Sequence, residues 1–248
     1  MKKENIKILI TGSNGFIGSN LKDYLKVCGD YDIYEFNRNN LLSELPNLIK
    51  EVDVILHLAG VNRPKDIEDF TTNNVLLTKK ICFILKNHQN KRLIYFSSIQ
   101  ASQDNYYGRS KKKGEEICLN YSKYSGNKIN ILRLPGVFGK NCKPNYNSVV
   151  ATFCYNVAND IQLNLIDKEK EISLLYVNDL CNQIKNLIQN PINMKFINVN
   201  SIFRIKIIKL AEIISSFKND NAKYSEEYKR KLFITYLSYK NKKFKNII

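Results

Sequence analysis

Ile6-Lys7-Ile8-Leu9-Ile10-Thr11-Gly12-Ser13-Asn14-Gly15-Phe16-Ile17-Gly18 is the stretch on which the fold turns. Residues 6–10 form a short apolar run without strict alternation, which reads as a strand buried on both faces of a parallel sheet. Thr11-Gly12 closes the run. Phe16, Ile17, Leu21 and Leu25 then recur at near-helical spacing as far as Cys28-Gly29, where glycine can cap a helix. A triplet spaced G-x-x-G-x-x-G therefore lies between a strand and a helix N-terminus. Gly12 allows the tight turn, Gly15 lets the backbone approach phosphates, and Gly18 lets the helix pack closely on the strand. The pyrophosphate of a dinucleotide is expected there, held by Gly12, Asn14, Gly15, Phe16, Ile17 and Gly18.

The same alternation continues along the chain. Residues 31–36 read as a strand, 41–50 as a helix, 52–58 as a strand running into Ala59-Gly60, 70–87 as a helix, 92–96 as a strand, 107–124 as a helix and 129–134 as a strand. This predicts an α/β fold, a doubly wound parallel sheet of the Rossmann type. After Pro135 the regularity weakens. A polar loop with Lys143-Pro144-Asn145 precedes a helix at 149–158, a strand at 172–176, and helices at 180–188 and 207–217. One unit over residues 1–248 is expected, with a dinucleotide-binding core over about 1–140. Residues from about 141 to 248 form mostly a smaller substrate lobe, interleaved with the core and laid over the sheet's carboxyl edge.

Composition excludes several classes. With 248 residues, 44% hydrophobic and 25% charged, and no low-complexity tract, the chain has the balance of a folded globular protein. Its charge of +16 comes from 39 basic against 23 acidic residues. The tail over 217–248 carries nine basic residues, Lys218, Lys223, Lys229, Arg230, Lys231, Lys240, Lys242, Lys243 and Lys245, against Asp220, Glu226 and Glu227. The remainder is also basic, so the excess is spread rather than gathered into a nucleic-acid-binding arm. Tyr224, Tyr228, Tyr236 and Tyr239 among those lysines are expected to pack against the fold, not to stack on bases. Cys28, Cys82, Cys118, Cys142, Cys154 and Cys181 show no C-x-x-C pair, and with only His57 and His88 beside them no metal site is expected. Unpaired thiols, no signal-peptide pattern and no apolar run of membrane-spanning length point to the cytoplasm, without nucleic-acid or membrane partners.

Tyr107-Gly108-Arg109-Ser110-Lys111 places a phenol and an ammonium one helical turn apart. A tyrosine titrating near 10 is a poor proton-transfer group at neutral pH, and a neighbouring ammonium favours its phenolate. The pattern recurs at Tyr124-Ser125-Gly126-Asn127-Lys128, but Tyr107 follows the fourth strand while Tyr124 lies at the far end of the next helix. Ser97-Ser98 ends that fourth strand, where a hydroxyl can meet a substrate carbonyl. About twenty residues past Gly18, where an acidic residue would bind the ribose 2′-hydroxyl of NAD, stand Asn37 and Arg38. A guanidinium suits a 2′-phosphate, so NADP(H) is favoured, with NAD(H) the alternative.

These motifs together with His57-Leu58-Ala59-Gly60, Asn74-Val75 and residues 133–139 (Arg-Leu-Pro-Gly-Val-Phe-Gly) resemble the extended short-chain dehydrogenase/reductase family of nucleotide-sugar epimerases, dehydratases and reductases. The resemblance implies that Ser98 and Tyr107 hold the reacting oxygen and that Lys111 also binds the nicotinamide ribose. It implies further that Leu58, Ala59, Gly60, Asn74, Pro135 and Val137 line the cofactor. Residues 60–64, 98–105 and 139–155 resemble more narrowly the bacterial capsular-polysaccharide reductases that work toward UDP-N-acetyl-L-fucosamine. In those, a reductase domain uses NADPH on the C4 ketone of a UDP-2-acetamido-2,6-dideoxy-hexos-4-ulose, and a zinc cupin domain follows. The resemblance thus implies reduction of a UDP-linked amino-deoxy sugar, with Arg63, Lys143, Asn145, Tyr146 and Asn147 as substrate candidates. The cupin is expected to be absent from this chain; a separate cupin epimerase and a homodimer are the expected partners. Arg109 and Asn178 stand where the family has acidic residues. A 4,6-dehydratase is disfavoured because Ile99-Gln100 offers no carboxylate beside the catalytic hydroxyl; an NAD-dependent UDP-sugar 4-epimerase and a non-catalytic nucleotide-binding module are the alternatives.

Overall fold

Strands β1 (Ile6–Thr11), β2 (Tyr31–Phe36), β3 (Val54–His57), β4 (Arg92–Ser98) and β5 (Lys128–Leu134) join one parallel sheet in the order β2-β1-β3-β4-β5. The computed structural model describes residues 4–219 and 224–240. Lys223, Lys242, Lys243, Lys245 and Asp220 of the basic tail lie outside the described residues. β3 and β4 are buried along almost their whole length, as unbroken apolar runs require when helices cover both faces. Strand order reverses between β1 and β3, so the carboxyl ends of these two strands, Thr11 and His57, flank the crevice where such sheets bind ligands.

The helices follow the apolar periodicity, with instructive exceptions. α1 (Phe16–Cys28) ends at Gly29 in the left-handed region, φ 79°, as its glycine predicts. The expected helix at 41–50 starts late. Residues 42–44 make a 3₁₀ turn, and Pro46, with no N–H to donate, opens α2 (Leu45–Glu51). The helix expected at 70–87 is built in three pieces: the turn α3 (Glu68–Phe70), a π-helical stretch Thr71–Leu76, and α4 (Leu77–Leu85). α5 (Tyr106–Ser125) begins where the Asn105 side chain accepts from Gly108 N at 2.8 Å, which fixes Tyr107 in the first turn.

Two compact units emerge. The first comprises Met1–Leu134 with Cys181–Asn200, the second Pro135–Leu180 with Ser201–Ile248. In the first, Leu9, Ile49, Ile55, Ile81, Leu93, Cys118 and Ile129 belong to one buried cluster between the sheet and its helices. Arg92 Nη1 and Nη2 donate to Ile188 O and Leu187 O at 2.8 and 2.6 Å, capping the last turn of the helix Val177–Gln189, whose later residues belong to this unit.

The second unit adds what the sequence pattern did not show. Its three-stranded sheet pairs β6 (Gly136–Phe138) with β7 (Glu171–Tyr176) in parallel, and β7 with β8 (Phe203–Lys206) antiparallel. β6 and β8 have three and four residues, too few for any period to register. α6 (Val149–Ala158) matches expectation to the residue, and α8 (Ile207–Ser216) and α9 (Glu227–Lys240) complete this unit; the helix Val177–Gln189, α7, only begins in it. Tyr236 and Tyr239 of α9 are buried, and the rings of Tyr224 and Tyr228 pack on Phe217 and Phe203 at 5.2 Å. Those tyrosines hold the unit together, as their expected packing role required. All six cysteines are free thiols, and among the described residues no helix is long and apolar enough to cross a membrane.

Candidate active site

The glycine loop is shaped by what it excludes. Gly12 has φ 72°, and a Cβ there would lie 2.8 Å from the backbone N and Cα of Ala59. A Cβ on Gly18 would lie 2.3 Å from Gly12 O, so α1 rests directly on the turn. Gly15 caps α1 without any side-chain bond, and no acidic residue sits in the first turn. The first N–H groups of α1 lack intrahelical acceptors, and Asn14 and Gly15 beside them are exposed. A dinucleotide's pyrophosphate fits this cradle of backbone donors. At Gly60 a Cβ would meet Asn74 Oδ1 at 2.8 Å and Lys111 Nζ at 3.4 Å, so the loop after β3, the π-helical stretch and α5 converge on one side chain's width.

A hydrogen-bonded chain ties the two strand ends together. Thr78 Oγ1 donates to Asn74 O at 2.6 Å, so it must accept from His57 Nε2 at 2.9 Å. His57 Nδ1 then accepts from Thr11 Oγ1 at 2.8 Å, and Thr11 Oγ1 accepts from Ala59 N at 3.2 Å. Every member is satisfied only if the imidazole is neutral, and burial pushes its pKa down to about 3. The unfolded chain, titrating near 6.5, therefore binds the proton first as pH falls. His57 contributes its full stabilisation above that value and loses it as pH drops toward 3. Between pH 7.5 and 5 the loss is about 2 kcal/mol. Urea unfolding at both pH values is expected to show this loss in the wild-type chain and a much smaller one in His57→Gln; equal losses would refute the neutral clamp.

Ser98, Tyr107 and Lys111 lie where β4 ends and α5 begins. Ser98 Oγ accepts from Gln100 N at 3.2 Å, starting the 3₁₀ turn that leads to α5, and its hydroxyl is near enough to influence the Tyr107 phenol. Burial raises the Tyr107 phenol above its ordinary value, and the nearby Ser98 opposes that rise. This differs from the expected downward pull of Lys111, because desolvation is the largest influence on the phenol. Lys111 is buried, donates from Nζ to Phe96 O at 3.0 Å and lies 5.3 Å from the Tyr95 ring centre. Burial lowers its pKa to about 8. Asn74, expected against the cofactor, spends its amide on the scaffold: it accepts from Val61 N at 2.7 Å and donates to Val61 O and Ser110 Oγ at 3.0 and 2.9 Å. The competing Tyr124 is 85% exposed at the end of α5.

Several participants carried no readable signal. Phe70 sets its ring 6.1 Å from that of Tyr107, and Tyr95 fills the space left by Gly114, where a Cβ would lie 2.1 Å from its hydroxyl. At the end of β2, Phe36 is buried, Asn37 Oδ1 accepts from Asn39 N, and Arg38 is exposed in the following turn. Glu35, the nearby acid, is paired with Lys22 at 2.9 Å, which holds its carboxyl below the usual range. Leu58 and Ala59 are half-buried and Arg63 is exposed, all in the first unit. Pro135, Val137, Lys143, Asn145, Tyr146 and Asn147 belong to the second. There Asn145 takes φ 55° with its N–H on Thr152 Oγ1, and Lys143 Nζ lies 5.9 Å from the Tyr146 ring centre. Arg109 pairs with Asp104 at 2.5 Å on the surface, and Asn178 is exposed. Among the described residues no group of three His, Cys, Asp or Glu could hold a metal ion.

The sequence profile of the NAD dependent epimerase/dehydratase family matches residues 8–200. The chain belongs to that family. Among epimerase/dehydratase relatives, a UDP-2-acetamido-2,6-beta-L-arabino-hexul-4-ose reductase from Pseudomonas aeruginosa is 39% identical over 241 residues, covering 94% of this chain and 65% of the relative. The crystal structure of the capsular polysaccharide assembling protein CapF from Staphylococcus aureus superposes with a TM-score of 0.83 at 35% identity, covering 94% of this chain and 65% of that one. This chain thus spans less than two thirds of either. UDP-glucuronic acid 4-epimerase from Bacillus cereus, solved with NAD, shares the fold at a TM-score of 0.82 and 19% identity, covering 95% and 99%.

Proposed function

We propose that the chain reduces the C4 ketone of a UDP-2-acetamido-2,6-dideoxy-hexos-4-ulose with NADPH, in the making of a capsular or other surface polysaccharide precursor. The observation that supports this reading is the placement of Ser98, Tyr107 and Lys111 where β4 ends and α5 begins, with Lys111 reaching the loop after β3, in a chain 39% identical to a relative named as such a reductase. The bound cofactor supplies the hydride. Tyr107 gives its phenolic proton to the carbonyl oxygen as the alcohol forms, and its raised pKa keeps that proton in place at neutral pH. Ser98 donates to the same oxygen, stabilising the charge that develops on it. Lys111 binds the ribose next to the reacting ring and favours the Tyr107 phenolate left behind. Leu58, Ala59 and Gly60 line the cofactor, with Pro135 and Val137; Arg63, Lys143, Asn145, Tyr146 and Asn147 serve the nucleotide-sugar.

Arg38 supports NADPH over NADH, because the acid that would grip a ribose 2′-hydroxyl is missing and Glu35 is committed to Lys22. The test is direct. The purified chain, given the UDP-4-keto sugar, is expected to consume NADPH in preference to NADH. Arg38→Ser is expected to raise the KM for NADPH about tenfold and leave that for NADH unchanged. Absence of NADPH oxidation with either C3 epimer refutes the reading, and interconversion of UDP-sugars on retained NAD points instead to a 4-epimerase.

A further inference from the structure

We propose that Glu115 is a positioning residue for the catalytic set, the buried counter-charge that keeps Lys111 an ammonium and ties it to the end of β4. Glu115 lies one turn beyond Lys111 on α5 and is 3% exposed. A carboxylate so buried is tolerated only when its oxygens are satisfied, and here both are. Ser97 Oγ donates to Oε1, Arg133 Nε donates to Oε1 at 2.9 Å, and Arg133 Nη2 donates to Oε2 at 2.6 Å. The serine doublet is thereby divided: Ser97 is held by Glu115, and Ser98 takes its bond from Gln100 N at the turn before Tyr107. Arg133, 40% exposed in its side chain, lies above the Phe196 ring at 5.1 Å, so the outer end of the network is fixed as well.

What faces Lys111 decides its charge. Tyr95 and Phe96 O on β4, neutral His57 at the end of β3, Asn74 in the π-helical stretch, and Cys118 on α5 surround it with Glu115. The neighbouring Cys82 of α4, together with burial, raises the Cys118 thiol well above its ordinary value. Burial does the same for the Tyr95 phenol. At neutral pH these groups carry no charge, so among the described residues Glu115 is the anion that opposes the desolvation of Lys111. Arg133 moderates it from the far side.

Opposite signs follow for the two partners. Removing the carboxylate lets Lys111 lose its proton more easily; removing the guanidinium strengthens the hold of Glu115 on Lys111. Nuclear magnetic resonance of [13Cε]lysine in the chain without cofactor reads this directly, with the Lys111 signal assigned by its loss in Lys111→Arg. The wild-type signal is expected to titrate near 8. In Glu115→Gln the midpoint is expected to fall by about one pH unit, and in Arg133→Gln to rise by about half a unit. Network members that act only as packing would leave both midpoints in place, and an unmoved midpoint in folded Glu115→Gln overturns the proposal. Should that variant not fold, Arg133→Gln decides, and an unchanged or lowered midpoint there overturns it equally. The role assigned to Lys111 in turnover rests on the proposed reduction, but the titration does not. A chain that consumes no NADPH yet shows both shifts refutes the reduction and keeps the counter-charge, while turnover with unmoved midpoints does the reverse.

Discussion

Tyr107→Phe is expected to lower kcat about a thousandfold while changing the Kd for NADP(H) by less than about tenfold. The substitution removes one oxygen and leaves the ring, whose packing against Phe70 at 6.1 Å does not involve the hydroxyl. Lys111 is anchored on Phe96 O rather than on the phenol, so the residue proposed to grip the ribose stays where it is. Ser98 keeps the bond from Gln100 N that orients it. What disappears is the proton donor, and a reaction that must place a proton on an alkoxide pays for that in kcat rather than in cofactor affinity. Single-turnover kinetics and a cofactor titration by fluorescence, with thermal unfolding as a check on the fold, separate the outcomes. Turnover within tenfold of wild type would show that the proton comes from elsewhere. A hundredfold loss of affinity would make Tyr107 a binding residue instead.

The parts of this site that could be read from sequence are those whose physics is local. A strand buried on both faces must be a continuous apolar run, so β3 and β4 stood out, and G-x-x-G-x-x-G between β1 and α1 placed the dinucleotide loop. The helical spacing of Tyr107 and Lys111 likewise placed both on one face of α5. Glu115 follows at the same spacing, but its meaning depends on Ser97 and Arg133, which reach it only because β4 and β5 pair in register Ser97 with Arg133. Long-range pairing of this kind leaves no periodic trace. The π-helical stretch was hidden for a related reason: Thr72, Asn73 and Thr78 bond side chain to backbone four residues earlier, a choice that composition permits and does not require. β6 and β8 are too short to announce themselves, and α9 was obscured by a lysine-rich tail whose apolar face is made of tyrosines.

Gly12→Ala is expected to destabilise the chain by about 3 kcal/mol and to weaken NADP(H) binding at least about a hundredfold, whereas Gly29→Ala should cost only about 1 kcal/mol and leave binding intact. Both glycines occupy the left-handed region, at φ 72° and 79°, so both substitutions meet the same intrinsic strain. They differ in surroundings. A Cβ on Gly29 meets nothing within 4 Å, while one on Gly12 lies 2.8 Å from backbone atoms of Ala59, which cannot swing aside as a side chain can. Gly12 N donates to Phe36 O at 2.7 Å and Gly12 O accepts from Gly15 N at 3.0 Å, so the turn cannot retreat without breaking the bonds that hold β2 and the start of α1. The alternative is to push Ala59 away, which pulls its N–H from Thr11 Oγ1 and opens the chain that runs through His57 to the π-helical stretch. Either movement displaces the crevice at the reversal of strand order, where the pyrophosphate is expected. Urea unfolding and a cofactor titration on both variants measure the contrast, and equal losses in the two would mean that left-handed strain alone, and not the contact with Ala59, makes glycine necessary at the head of the loop.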